Sequence, residues 1–219
     1  MTREQLYEGI ELSEAGRTFV DGYLMQPEEY QKWKHLFDTD MKAFLKKGKE
    51  QWGEFFSKNA LPLSIYLALD AYEGFKEAGF TDAFYYQNMR DIAIWNAAHE
   101  KKYHVPGLRE IAWVGMSLKQ KLYRIGRLQF EPYKLEQDIE LCGKLYRKGT
   151  EVLNVHIPED GKLDPEACEA AYQEATAFFE QRGYSGAHIF ICESWLLSPQ
   201  LKEIINEKSN IYLFQDKFT

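Results

Sequence analysis

His156 stands near the end of the run Glu151-Val-Leu-Asn-Val-His-Ile157, which reads as a strand. On a strand it shares one face with Val152 and Asn154. A histidine side chain titrates near ~6.5, so at that position it can take a proton from an amine nucleophile near neutrality. The competing reading has the ring bonding a nearby backbone carbonyl and fixing the turn before Pro158. A second run, His188-Ile-Phe-Ile-Cys-Glu-Ser194, puts Cys192 and Ser194 on one strand face and Glu193 on the other. Cys192 with His156 has the outline of an acyl-enzyme pair, although strand cysteines usually serve as small core residues. Glu193 is a second candidate base. Ser194 is a third candidate catalytic residue, with capping of the turn Trp195-Leu-Leu as its structural alternative, and Pro199 then starts a helix.

His35, His99 and His104 fall at no metal-ligand spacing. His99-Glu100 would need a histidine where Tyr103 stands to complete HExxH, so no metal is expected. Cys142, Cys168 and Cys192 are sparse, odd in number and without a CxxC pair. That usage suits reduced thiols in a cytoplasmic protein rather than a disulfide framework. The N-terminus lacks the apolar run of a signal peptide, and no apolar stretch is long enough for a membrane span.

The net charge of −7 is uneven: residues 1–100 carry −6, residues 101–149 carry +6 and residues 150–219 carry −7. The basic middle block can attract a phosphorylated cofactor, or can simply offset its acidic neighbours. An acidic chain without a recognition motif is a poor nucleic-acid ligand, and neither nucleic acid nor membrane is an expected partner.

The elements that must position these residues divide in two. Residues 1–105 read as a helical bundle. One helix starts at Gln26-Pro27 with Tyr30, Trp33 and Phe37 inside; a second, capped by Asp38 or Asp40, runs through Lys58; a third runs from Pro62 to Gly79; a fourth runs from Ala83 to Lys101. Val105-Pro-Gly107 marks a boundary. Residues 106–219 then read as strands at Arg124–Glu131, ended by Pro132, and at Ile139–Tyr146. The unit from Thr150 onward alternates strand, helix, strand, helix, with a last strand at Asn210–Asp216. The fold class is α+β, an N-terminal helical bundle followed by a mixed sheet with flanking helices. Arg124 and Arg127, three apart on one strand, would face opposite sides.

Four segments occur in order: Arg124-Ile-Gly-Arg-Leu-Gln-Phe-Glu131, Val155-His-Ile-Pro158, Ser194-Trp-Leu-Leu197, and Ser209-Asn-Ile211 with Phe214-Gln215. This series resembles a family of bacterial acyltransferase-domain proteins, which join a helical N-terminal acyltransferase-associated domain to a GNAT-like C-terminal domain. The resemblance implies an acyl-CoA-dependent N-acyltransferase, with acyl-CoA or acetyl-CoA as cosubstrate and an amine as acceptor. It implies that Glu151–Ile157 flanks the pantetheine arm and that His188–Ser194 is its splayed parallel partner. Val155, Ile157, Gly161, Lys162, Cys192 and Trp195 then line the cofactor. The loop Pro158–Leu163 and the helix start at Asp164 would face the pyrophosphate, as free amides at a helix N-terminus do.

The sequence departs from the usual Arg/Gln-x-x-Gly-x-Gly/Ala loop, since Glu159-Asp-Gly-Lys-Leu-Asp164 has one glycine and three carboxylates, and Pro165 removes a donor. Relatives of this type also continue beyond the final strand, so the chain looks truncated. Its last strand is expected to be an open edge that another copy or a partner chain completes. Both departures support an alternative, a non-catalytic binding or assembly module on a GNAT-like fold. An open cleft between Val155–Pro158 and Cys192–Trp195 would favour the enzyme; a filled one would favour the module.

Overall fold

Thr2, Ser13, Asp40 and Thr81 each accept a hydrogen bond from the backbone N–H three residues on, and each opens a helix. In this computed structural model, which describes residues 1–141 and 143–218, the first compact unit spans Met1–Gln120 and holds eight α-helices among the described residues. Cys142 and Thr219 lie outside the described residues. The helices are α1 (Arg3–Gly9), α2 (Glu14–Asp21), α3 (Pro27–Thr39), α4 (Met41–Trp52), α5 (Phe56–Glu77), α6 (Asp82–Met89), α7 (Asp91–Tyr103) and α8 (Ile111–Leu118). Trp33 is fully buried and stacks on Trp52 at 4.4 Å, with Phe44 edge-on at 5.5 Å. Tyr85, equally buried, meets Phe75 edge-on and donates to the Ala68 carbonyl.

Three helix boundaries differ from the sequence reading. The second helix stops at Trp52 rather than Lys58, because Gly53 takes a φ of +53° and turns the chain. The third begins six residues before Pro62, which is carried inside the helix. The fourth is two helices that meet at Arg90, whose guanidinium forks onto Glu11 at 2.8 and 2.6 Å. Val105-Pro-Gly107, expected as the domain boundary, lies inside the first unit. Beyond it α8 packs on α5 and α6, and the compact unit runs on to Gln120.

The second unit, Lys121–Thr219, is built on a four-stranded sheet in the order β1 (Tyr123–Ile125), β2 (Leu128–Lys134), β5 (Glu151–His156), β6 (Phe190–Ile191). β1–β2 and β2–β5 are antiparallel, whereas β5–β6 is parallel. Separate from it, β3 (Ile139–Leu141) and β4 (Lys144–Tyr146) form a hairpin, so the single strand expected over 139–146 is two. The stretch read as one strand, Arg124–Glu131, is also a hairpin. Gly126 adopts a φ of +58° at the first position of a two-residue loop, as a tight turn with that geometry requires. Pro132 does not end a strand but sits inside β2 opposite Leu153.

One sheet face carries Tyr123, Leu128, Phe130, Leu153 and Phe190 and meets α9 (Pro165–Glu180) through Tyr172 and Phe179. The other face carries Arg124, Gln129, Glu131, Asn154 and His156 in register. A crossover helix between parallel strands is what the βαβ pattern demands.

The chain after β6 corrects two further expectations. Only Phe190 and Ile191 pair, not the whole of 188–194; a single 3-10 turn follows at Trp195–Leu197, then α10 (Pro199–Ile204). Asn210–Asp216, read as a strand for its Ile, Tyr, Leu and Phe, is mostly the helix α11 (Asn210–Gln215). Ser209 caps it by accepting from the Tyr212 amide. Helical spacing turns the adjacent Phe214 and Gln215 inward, where the Gln215 amide donates to the carbonyls of Leu196 and Ser198. These local bonds override strand propensity, and the open terminal edge expected to recruit a partner is absent from the described residues.

Candidate functional site

The β5–β6 ladder ends at Asn154 and Ile191, so Val155–Ile157 and Cys192–Ser194 continue past their last mutual pairing. Below that separation lies a cavity of about 790 Å³, a size suited to a small ligand. Arg127 from the β1–β2 turn, Ile157 and Pro158 from the end of β5, Trp195 and Leu196 from the 3-10 turn, and Ser209–Ile211 at the start of α11 form its wall. Gly161, Lys162 and Leu163 add the loop before α9. Each of the four segments singled out in the sequence contributes residues here.

Arg127 shapes the loop. Its Nε donates to the Lys162 carbonyl at 2.7 Å, and its Nη2 donates to the carbonyls of Gly161 at 2.7 Å and Pro158 at 3.1 Å. Its Nη1 is buried without a hydrogen-bond partner, and burial lowers the guanidinium pKa from its ordinary value. Arg124 reaches the same loop, its Nη2 donating to both Asp160 oxygens at 2.9 Å. The expectation that the two arginines face opposite ways therefore fails, because the Gly126 turn folds one strand back on the other.

The three loop carboxylates have separate fates. Asp160 is held by Arg124, and Asp164 caps α9 by accepting from the Ala167 amide at 3.0 Å. Only Glu159 is left exposed on the cavity wall, near Lys162 in the same loop. The like-charge cost expected for an anionic ligand is correspondingly smaller.

His156 faces the polar side of the sheet. Its Nε2 lies 2.9 Å from Glu131 Oε2, and Asn154 Nδ2 donates to the same oxygen at 3.2 Å. A carboxylate oxygen accepts, so Nε2 carries the proton and the neutral ring has its lone pair on Nδ1. Both side chains are about four-fifths buried, at 19 % and 22 % exposure, which holds the imidazole in one orientation. A carboxylate that fixes the tautomer of a histidine is the arrangement a general base needs. The ring thus bonds the Glu131 side chain, a partner the sequence reading did not name.

Of the other expected residues, Ile157, Gly161, Lys162 and Trp195 line the cavity, and Trp195 is 75 % exposed at it. Val155 is buried in the sheet, and Cys192 is half-buried beside it in sequence order past Ile191. Burial, and secondarily the Glu193 carboxylate, push the Cys192 thiol up to about 11. A thiol so rarely ionised is a poor nucleophile. Iodoacetamide at pH 8 is accordingly expected to alkylate Cys192 far more slowly than free cysteine, read by peptide mass spectrometry. Alkylation at the free-thiol rate would return Cys192 to the candidate nucleophiles. Glu193 is exposed, and the Ser194 hydroxyl accepts from the Leu196 amide at 3.2 Å as a cap. Among the described residues no group of three or more His, Cys, Asp or Glu is placed to hold a metal ion, and no helix is long and apolar enough to cross a membrane.

Sequence reasoning missed Glu131, Asn154 and the loop-holding role of Arg127. Glu131 meets Asn154 through the antiparallel pairing of β2 with β5, 23 residues apart in sequence, and no local motif marks that pairing.

Residues 1–119 match the N-acyltransferase N-terminal domain, and residues 122–219 match the GNAT-like C-terminal domain. No curated protein matches the chain. Three solved structures share its fold over 99 % of its length and 68 % of theirs. One is an acyltransferase mutant in complex with octanoyl-CoA, at 22 % identity and a TM-score of 0.79. A second is an acyltransferase in complex with decanoyl-CoA and teicoplanin, at 21 % and 0.74. A third is an acyltransferase in complex with CoA and 10C-teicoplanin, at 21 % and 0.77.

Proposed function

Since the chain belongs to the family defined by the N-acyltransferase N-terminal domain and continues into a GNAT-like C-terminal domain, we propose that it transfers an acyl group from an acyl-CoA thioester to an amine. The observation that carries this reading is the open cavity where β5 and β6 cease to pair, walled by all four family-like segments. A filled cleft would have favoured a non-catalytic module.

The donor lies with its pantetheine arm along Ile157 and Trp195–Leu196, beyond the ladder. Its phosphates meet the Gly161–Lys162 loop, where Lys162 supplies charge and the exposed loop backbone supplies amides. Arg127 and Arg124 do not contact the phosphates directly; they hold the loop in the shape that does. The acceptor amine sits on the polar face beside His156. Nδ1 of His156 takes the amine proton as nitrogen attacks the thioester carbonyl, and Glu131 stabilises the imidazolium that forms. The carbon–sulfur bond then breaks, and the CoA thiolate leaves with a proton returned from the site. A cytoplasmic location, where thiols such as Cys168 and Cys192 stay reduced, goes with this reading.

Isothermal titration with acetyl-, octanoyl- and decanoyl-CoA tests it. The longer two are chosen because acyltransferases of this fold are complexed with them. At least one ester is expected to bind with a dissociation constant in the micromolar range, about −8 kcal/mol. No heat and no thermal shift with any of the three would sink the reading and leave the binding-module alternative.

A further inference from the structure

The helical unit contains a cavity of about 860 Å³ that the acyl-transfer site does not use. Ser57, in the first turn of α5, and His99, on α7, both line it. His99 Nδ1 lies 2.8 Å from the Val105 carbonyl oxygen, and Nε2 lies 3.0 Å from Ser57 Oγ. A carbonyl only accepts, so Nδ1 must carry the proton. In the neutral ring Nε2 then holds the lone pair, and the Ser57 hydroxyl donates to it. That is the hydrogen-bond direction an activated serine requires, with a backbone carbonyl orienting the base in place of a carboxylate.

The surroundings keep this geometry fixed. A Cβ at Gly107 would lie 2.6–2.8 Å from three atoms of the His99 ring, so only glycine lets the loop approach that closely. The Gly107 amide donates to Asn96 Oδ1 at 3.0 Å, and the Leu108 amide donates to the Ser57 carbonyl at 2.7 Å. The loop presenting Val105 is thereby tied to both helices. Tyr103 packs on the His99 ring at 4.6 Å. The cavity wall combines apolar Leu45, Phe55 and Phe56 with cationic Lys49, Lys58 and Arg109 and acidic Glu54 and Glu110. An apolar acyl chain fits the first group, and the wall's cations exceed its carboxylates by one, which favours a developing oxyanion.

We propose that Ser57 and His99 form a second site, which cleaves carboxylic esters with an apolar acyl chain. Ser57 Oγ attacks the ester carbonyl carbon, and its proton passes to His99 Nε2. The bond to the alcohol oxygen breaks, and the alcohol leaves with that proton. Water then attacks the acyl-serine, giving one proton to Nε2, and the carboxylic acid departs as Ser57 recovers its hydroxyl hydrogen from His99. Val105 and Gly107 are positioning residues.

The test uses the full chain with a fluorophosphonate probe and with p-nitrophenyl butyrate. Peptide mass spectrometry of the unsubstituted protein is expected to find the phosphonyl adduct on Ser57, with labelling at least tenfold slower in folded His99→Ala. Ser57→Ala, checked for unaltered thermal unfolding, should lower ester hydrolysis at least tenfold. No adduct on Ser57 at saturating probe, or an adduct that forms at the same rate in folded His99→Ala, overturns the proposal. So does hydrolysis by folded Ser57→Ala at the original rate. Because the mapping is made on the unsubstituted chain, a misfolded variant does not decide the outcome.

Discussion

His156→Ala is expected to lower kcat for acyl transfer about 10²- to 10⁴-fold, the usual worth of a general base, while acyl-CoA affinity stays within about twofold. The split follows from geometry. His156 lies on the polar sheet face with Glu131 and Asn154, whereas the cavity proposed for the donor is walled by Ile157 and the loop beyond it. Glu131→Gln keeps an oxygen that accepts from Nε2 but removes the charge opposing the imidazolium, so its loss should be smaller, about tenfold. A His156→Ala rate within threefold of the original would assign the histidine a structural role and move the base elsewhere.

The Glu131–His156 pair also shows what the sequence could and could not reveal. The strand Glu151–His156, the capped helix at Asp164 and the caps at Asp40 and Thr81 are legible because local chemistry decides them: alternation, a short acceptor side chain, a proline at the first helical position. Glu131 was invisible as a partner because its meeting with Asn154 depends on the register of β2 against β5, strands joined by a long connection rather than a tight turn. Asn210–Gln215 misled for the opposite reason. Its residues have strand propensity, but the Ser209 cap and the inward Gln215, bonded to two carbonyls of the preceding turn, make a helix the better-satisfied arrangement. Of the residues expected to face a cofactor, those in loops and turns (Gly161, Lys162, Trp195) do reach the cavity, while Val155 is consumed by the sheet core.

Arg127→Ala should produce the complementary defect, weaker acyl-CoA binding with kcat at saturation nearly unchanged. The guanidinium bonds three carbonyls of one loop, at residues 158, 161 and 162, and no other side chain replaces that span. Hydrogen bonds from a charged donor are each worth about 1.5–3 kcal/mol net, and three that share one side chain are not additive. If only ~1.4–2.8 kcal/mol of that order is lost from the loop when the donor binds, affinity falls about 10- to 100-fold. Lysine at this position should not restore it, since a single ammonium cannot reproduce a planar fork reaching three oxygens. Arg124→Ala, which releases Asp160 and exposes a second loop carboxylate beside Glu159, should weaken binding in the same direction and more steeply at low salt. Titration of both variants with the best-binding acyl-CoA decides the matter. Unchanged affinity in Arg127→Ala would mean that the loop holds its shape without this arginine, or that the phosphates bind elsewhere on the unit. The loop could then no longer be regarded as this protein's substitute for a glycine-rich phosphate cradle. Weakened affinity with intact kcat would instead explain how a loop with one glycine and three carboxylates can serve: arginines behind it neutralise and brace it, and only its outer surface meets the ligand.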